Sequence, residues 1–176
     1  MLRSKLSYAS ILCVGIGSLV AVGAADRNPA PERPEQPASA SVVMRPTITL
    51  DLARQAAEAA LAEAQRLNAG GAIAVVDDGG HLVTLIRIDG AFPAAAEVAE
   101  AKARTAAIFR RPTQDFENAV RNGRNTLLAV GPMTPLEGGV PIIVSGQIVG
   151  AVGVSGAHSS TEDVQIATAG AAVAGK

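Results

Sequence analysis

The feature that most constrains the fold is a glycine-rich stretch near the end of the chain, GGVPIIVSGQIVGAVGVSG at residues 138–156. Two runs rich in β-branched residues, 140–144 and 148–154, flank a short Ser-Gly-Gln segment. Gly146 can adopt the positive φ that a tight turn requires. The stretch therefore predicts a β-hairpin.

The second strand of this hairpin is poor in large side chains on one face. Alternation places Val149 on the same face as Ala151 and Gly153. Glycine in a strand interior gives up side-chain packing, so Gly150 and Gly153 indicate that a helix, a subunit or a ligand approaches the backbone closely. A helix packed on a central strand is the favoured interpretation.

The N-terminal residues have the pattern of a secretory signal peptide over residues 1–25. Arg3 and Lys5 precede an apolar run at 9–22, and small residues at 23–25 supply a cleavage site. The run is shorter than the roughly 20 residues of a spanning helix, so we expect no stable membrane insertion after cleavage. The predicted location is periplasmic or secreted.

Residues 26–46 interleave prolines with Ala, Ser, Glu and Arg, which predicts an extended linker before a folded domain at 47–176. Cys13, the only cysteine, lies in the signal peptide, so the domain has no disulfide and no cysteine metal site. Without residues 1–25 the chain has 13 basic and 16 acidic residues. With this charge, three Phe and no Trp, we expect no nucleic-acid binding.

The order of the predicted elements indicates an α+β fold. We expect a first helix capped by Thr49 and then a hairpin at 72–88 that turns at Asp-Asp-Gly-Gly. Helices at 94–109 and from Pro112 follow, and then a strand at 126–130. After the glycine-rich hairpin, a capping box at 160–163 starts the last helix. Five strands with hairpin connections predict a central, mostly antiparallel sheet flanked by helices.

Six motifs occur in the order found in one known family. They are AVVDDGGHL at 74–82, RIDG at 87–90, AKARTA at 101–106, RPT at 111–113, GGVPI at 138–142 and GAVGVSG at 150–156. Together they resemble the GlcG/HbpS-type haem-binding family, which is related to the C-terminal domain of PduO-type corrinoid adenosyltransferases. The resemblance covers residues 47–170.

The resemblance implies a profilin-like fold and oligomers built from dimers. It also implies that haem, or a corrinoid-type ligand, binds to some members, including exported ones linked to oxidative-stress sensing. Haem is therefore the expected cofactor, and a homo-oligomer and a sensor protein are the expected partners.

His81 is the predicted metal ligand, because neutral imidazole commonly ligates haem iron and the residue matches the family's Gly-Gly-His motif. A histidine that only bonds its own turn, or that contacts a second subunit, is the alternative. Loop residues His158 and Met133 are weaker candidates.

Lys102 lies beside the apolar stripe of its helix, and the family motif has lysine here. It can snorkel to the surface or point into a pocket, where it would pair with a haem propionate or another carboxylate, or act as a base. Arg87 can hold a carboxylate in a bidentate manner or pair with Asp89. Phe109 and Arg111 would line the rim of the same site.

Three functions remain open at this point. The first is an exported haem-binding protein that uses His81, Arg87, Lys102, Phe109 and Arg111. The second is an enzyme that acts on a small carboxylate-bearing metabolite around Lys102, although the common hydrolase, phosphate-loop and zinc-helix motifs are missing. The third is a partner-binding module without a ligand.

Overall fold

A computed structural model describes residues 43–175, so the predicted signal peptide and most of the predicted linker lie outside the described residues. The elements are α1 (Leu50–Arg66), β1 (Ala72–Asp77), β2 (Leu82–Arg87), α2 (Ala95–Ile108), α3 (Thr113–Arg121), β3 (Gly139–Val144), β4 (Gln147–Ser155) and α4 (Ser160–Ala171), with 3-10 helices at Asn125–Ala129 and Ala172–Gly175.

The strands form one antiparallel sheet in the order β2-β1-β4-β3, and helices cover both of its faces. One face buries larger side chains against α1 and α4, including Ile73, Val75 and Val152. The other face presents mostly alanine to α2. The predicted α+β architecture is therefore confirmed, and its profilin-like label stays a prediction.

Local capping and turn chemistry account for several element boundaries. Thr49 Oγ1 accepts a hydrogen bond from Leu52 N at 3.2 Å and starts α1, as predicted. Ser145 and Gly146 both have positive φ between β3 and β4, as a two-residue hairpin turn requires. The cap of α4 is Ser159, one residue before the predicted capping box.

Helix α2 explains the small residues of β4. A Cβ atom added to Gly153 would overlap the Ala99 carbonyl oxygen and lie 2.5 Å from Ala103 N. The favoured interpretation of the glycine-rich strand, a helix packed against its backbone, is confirmed. The close approach also fixes α2, and the polar residues on it, relative to the sheet.

A β-bulge corrects the predicted faces of β4. The pairing with β3 shifts between Ile142 and Ile143, which leaves Val149 without a partner. Val149 is therefore buried with Val152 and Val154 rather than with Ala151. Its carbonyl oxygen accepts a hydrogen bond from Ile48 N at 2.9 Å, where the chain enters the domain.

The predicted fifth strand at 126–130 is wrong, because this segment forms a 3-10 helix, Asn125–Ala129. Arg124 N donates to Ala119 O at 3.0 Å, which keeps the segment against the end of α3 and away from the sheet. A short apolar run fits either a strand or a helical turn. Here contact with the end of α3 decides between them, and no residue of the 3-10 helix is buried. Within residues 43–175, no helix is both long and apolar enough to cross a bilayer.

Candidate functional site

His81 lies at the end of the β1–β2 turn, where Asp77 holds its imidazole. His81 Nδ1 lies 3.1 Å from Asp77 Oδ1 and 3.2 Å from Oδ2. The same carboxylate accepts hydrogen bonds from Gly79 N at 2.9 Å and His81 N at 2.8 Å. The turn therefore fixes the carboxylate, and the carboxylate fixes the ring.

The ionisation of Asp77 favours this arrangement. Partial burial raises the pKa of the Asp77 carboxyl group, but hydrogen bonds from the His81 backbone and imidazole and from Gly79 N outweigh it, so the pKa is lowered. An ionised carboxylate can only accept hydrogen bonds, so His81 Nδ1 carries a proton. In the neutral ring this leaves the Nε2 lone pair free.

The His81 side chain is 81% exposed, so Nε2 is accessible from solvent. A carboxylate on one ring nitrogen with the other nitrogen free is the arrangement that orients histidines toward metals. The turn itself is supported by α2, because Arg104 Nε donates to Gly80 O at 3.1 Å.

Apolar side chains continue from His81 along the outer strand. Leu82 and Leu85 are 43% and 41% exposed, whereas Ile73, Val75 and Val76 of the neighbouring strand β1 are buried. They pair with Val76 and Ala74, which belong to the α2 face of the sheet. His81 is thus next to an uncovered apolar surface.

Arg87 lies at the far end of the same strand. Five residues separate it from Leu82, which corresponds to about 17 Å in an extended strand. Its Nη2 donates to Ala91 O at 2.6 Å, and no ion pair with Asp89 is present among the described residues. Within one chain, Arg87 and His81 do not form a common site.

Lys102 points inward from α2 and pairs with a residue of α4. Its Nζ donates to Asp163 Oδ2 at 2.8 Å and to Val154 O at 2.9 Å, and both side chains are almost fully buried. Asp163 Oδ1 also accepts from Ala157 N at 3.0 Å. Lys102 therefore points into the protein rather than to the surface, and the carboxylate that it pairs with belongs to Asp163.

A second buried carboxylate, Glu137, ties the loop before β3 to two helices. It accepts hydrogen bonds from the Ser160 hydroxyl and from Gln114 Nε2, the latter at 3.1 Å. The Ser160 hydrogen bond is the main reason that the pKa of Glu137 is lowered; burial opposes it, and Gln114, Arg121 and Lys102 add to it. The residue is 8% exposed.

The lowered pKa of Glu137 predicts a loss of stability in acid. Folding favours the ionised form, so this contribution is complete above the unfolded pKa of about 4.3 and disappears as the pH falls through the lower folded pKa. We expect Glu137→Gln to flatten the decline in the free energy of unfolding below about pH 5. Urea unfolding between pH 7 and pH 3 measures this, with exposed Glu58→Gln as control. Parallel pH profiles for the wild type and Glu137→Gln would contradict the prediction.

Phe109 and Arg111 line a separate cleft of about 320 Å³ at the C-terminal end of α2, together with Met133. The Phe109 and Phe116 ring centroids are 5.5 Å apart in an edge-to-face arrangement. The five predicted site residues therefore occupy different places: His81 in the turn, Arg87 at the far strand end, Lys102 inside, and Phe109 with Arg111 in the cleft.

Sequence reasoning missed the carboxylates that position these groups. Asp77 stands four residues before His81, but turn geometry alone already favours an aspartate at this position, so the sequence does not indicate its contact with the imidazole. Asp163 fits the predicted capping box of α4, and its partner Lys102 is 61 residues away, so no local pattern connects them. The other histidine, His158, is exposed and lies 2.8 Å from Glu162 Oε2.

Comparisons with known proteins agree with this fold. The model of the family described as haem degrading protein HbpS-like matches residues 48–172. Protein GlcG of Escherichia coli (strain K12) is 51% identical over 108 residues, which cover 59% of this chain and 81% of GlcG.

Two solved structures have the same fold. A double mutant of Streptomyces reticuli HbpS has a TM-score of 0.70 at 35% identity, covering 80% of this chain and 100% of that one. A complex of PduOC with heme has a TM-score of 0.64 at 26% identity, covering 72% and 94% of the two chains. Because the family model spans most of the described residues, the chain belongs to the HbpS-like family.

Proposed function

We propose that this protein binds haem and that His81 Nε2 is the axial ligand. The observation that carries the proposal is the Asp77–His81 pair, which fixes the tautomer and presents an accessible ring nitrogen. Membership of the HbpS-like family and similarity to a structure solved with heme support the choice of ligand. When bound, haem iron would supply ligand-binding or redox chemistry.

The surroundings of His81 suit a flat, apolar group with acidic substituents. Leu82 and Leu85 offer exposed apolar surface beside the imidazole. Arg110 lines a cleft with Asp78, three residues before His81 in the chain, and its guanidinium has no ion pair among residues 43–175. Arg110 is therefore a better candidate than Arg87 or Lys102 for holding a propionate.

The remaining expectations are part of the same proposal. Export to the periplasm or beyond rests on the predicted signal peptide. Assembly from dimers, a sensor protein as partner and a role in oxidative stress rest on the family resemblance. The proposal does not use Lys102 as a base, because its ammonium group already donates hydrogen bonds to Asp163 and to Val154 O.

A haem titration followed by absorption spectroscopy tests the axial ligand. The wild-type protein should give a saturable Soret band, and His81→Ala should abolish the Soret shift. Asp77→Asn should weaken haem binding by about 10- to 100-fold, because the imidazole loses its orienting carboxylate.

His158→Ala is the matched control, since His158 is also exposed and also lies beside a carboxylate four residues away. It is flanked by Ser159 and Ser160 rather than by exposed leucines. We expect its titration to match the wild type. An unchanged titration of His81→Ala would remove His81 as the ligand, and loss of the Soret shift in His158→Ala alone would assign the role to His158 instead. A wild-type response no different from that of an unrelated protein would contradict haem binding itself.

A further inference from the structure

The cleft at the end of α2 is built from three neighbouring segments. Phe109 follows α2, Phe116 belongs to α3, and Leu127 and Met133 come from the 3-10 helix and the loop after it. The haem proposal at His81 uses none of these residues. Their side chains give the cleft an aromatic and aliphatic lining.

Two arginine side chains lie beside these apolar groups. Arg111 Cζ lies 5.5 Å from the centroid of the Phe116 ring, and Arg124 lines the same cleft. Within residues 43–175, neither guanidinium makes an ion pair or a side-chain hydrogen bond, whereas Arg66, Arg104 and Arg121 each pair with a carboxylate. Asp115 also lines the cleft, so the group carries a net positive charge.

The loop side of the cleft is held in place by the rest of the fold. Thr134, the residue after Met133, donates a hydrogen bond from its backbone N to Thr105 Oγ1 at 2.9 Å. At the end of the loop, Glu137 N donates to Glu117 Oε2 at 2.6 Å. The cleft is therefore preformed, which lowers the entropic cost of binding a ligand.

We propose that this cleft binds a small carboxylate with one or two rings, separately from haem. The ring would pack on Phe109, Phe116 and Met133, and the carboxylate would accept hydrogen bonds from Arg124 and Arg111. A volume of about 320 Å³ is at the lower end for small-molecule sites. It suits such a molecule better than a tetrapyrrole.

Calorimetric titration of the purified protein with 1-naphthoate tests the site, with neutral 1-naphthalenemethanol as the matched probe. We expect one saturable naphthoate site per chain and at least tenfold weaker binding of the alcohol. Arg124→Gln should weaken naphthoate binding by about tenfold or more, because a charge-assisted hydrogen bond is lost. Arg54→Gln, an exposed change on α1, should leave it unchanged.

The outcome is separable from that of the haem proposal. His81→Ala should bind naphthoate like the wild type, and saturating naphthoate should leave the haem titration unchanged. Displacement of haem by naphthoate would show that the cleft is part of the haem site and would overturn a separate site. No naphthoate binding, equal affinity for the alcohol, or unchanged affinity in both Arg124→Gln and Arg111→Gln would overturn the proposal.

Discussion

Replacement of Lys102 by methionine is expected to lower the free energy of unfolding by about 3 to 5 kcal/mol at pH 7. Methionine is also unbranched and is one atom shorter, so it fills most of the same space but removes the charge, which leaves the Asp163 carboxylate buried without its partner. Domains of this size are stable by only about 5 to 15 kcal/mol, so the variant would lose a large part of its stability. Urea unfolding measures the difference.

The control is Arg66→Met, which also removes one cation from an ion pair. The side chain of Arg66 is 61% exposed, and its pair with Glu63 lies on the surface of α1. Exposed pairs contribute about 0 to 1 kcal/mol.

The double variant Lys102→Met with Asp163→Asn should be more stable than Lys102→Met alone, because no unpaired buried charge remains. A loss of under 1 kcal/mol in Lys102→Met would contradict the buried pair.

The second large effect is expected for Gly153→Ala. The new methyl group would meet backbone atoms of Ala99 and Ala103, and neither can rotate away as a side chain would. Overpacking costs about 1 to 3 kcal/mol where side chains can adjust, so we expect about 3 kcal/mol or more here. Gly131→Ala is the control, because its added Cβ meets nothing within 4 Å.

The same change has a functional readout. Helix α2 carries Arg104, which bonds Gly80 O in the turn that orients His81. If α2 moves outward to admit the methyl group, haem binding at that turn should weaken as well. Wild-type stability in Gly153→Ala would show that α2 does not approach β4 as closely as described.

The predictable parts of the fold were those fixed by neighbouring residues. The Asp-Asp-Gly-Gly and Ser-Gly turns define both hairpins, and Thr49 starts α1 with its own hydroxyl. The errors occurred where distant segments decide. The run at 126–130 is held by Ala119, and the bulge at Val149 depends on pairing with β3.

The candidate site was predictable in its groups but not in their positions. The residue types indicated a metal ligand at His81, cations at Lys102 and Arg111, and an aromatic rim at Phe109. Their separation depends on which way each element faces after packing. The partner of Lys102 lies across the sheet on α4, and no spacing in the sequence reveals it.

The uncovered edge of β2 has a geometric consequence for any assembly of this chain. The opposite edge strand, β3, contains Pro141, which lacks an N–H group and discourages further pairing; β2 contains no proline. If two β2 edges paired antiparallel over their full length about a two-fold axis, Leu82 of one chain would lie opposite the partner's Arg87. His81 would then lie beside a guanidinium that is about 17 Å away within its own chain. Such a dimer would create two composite sites, each completed by both chains.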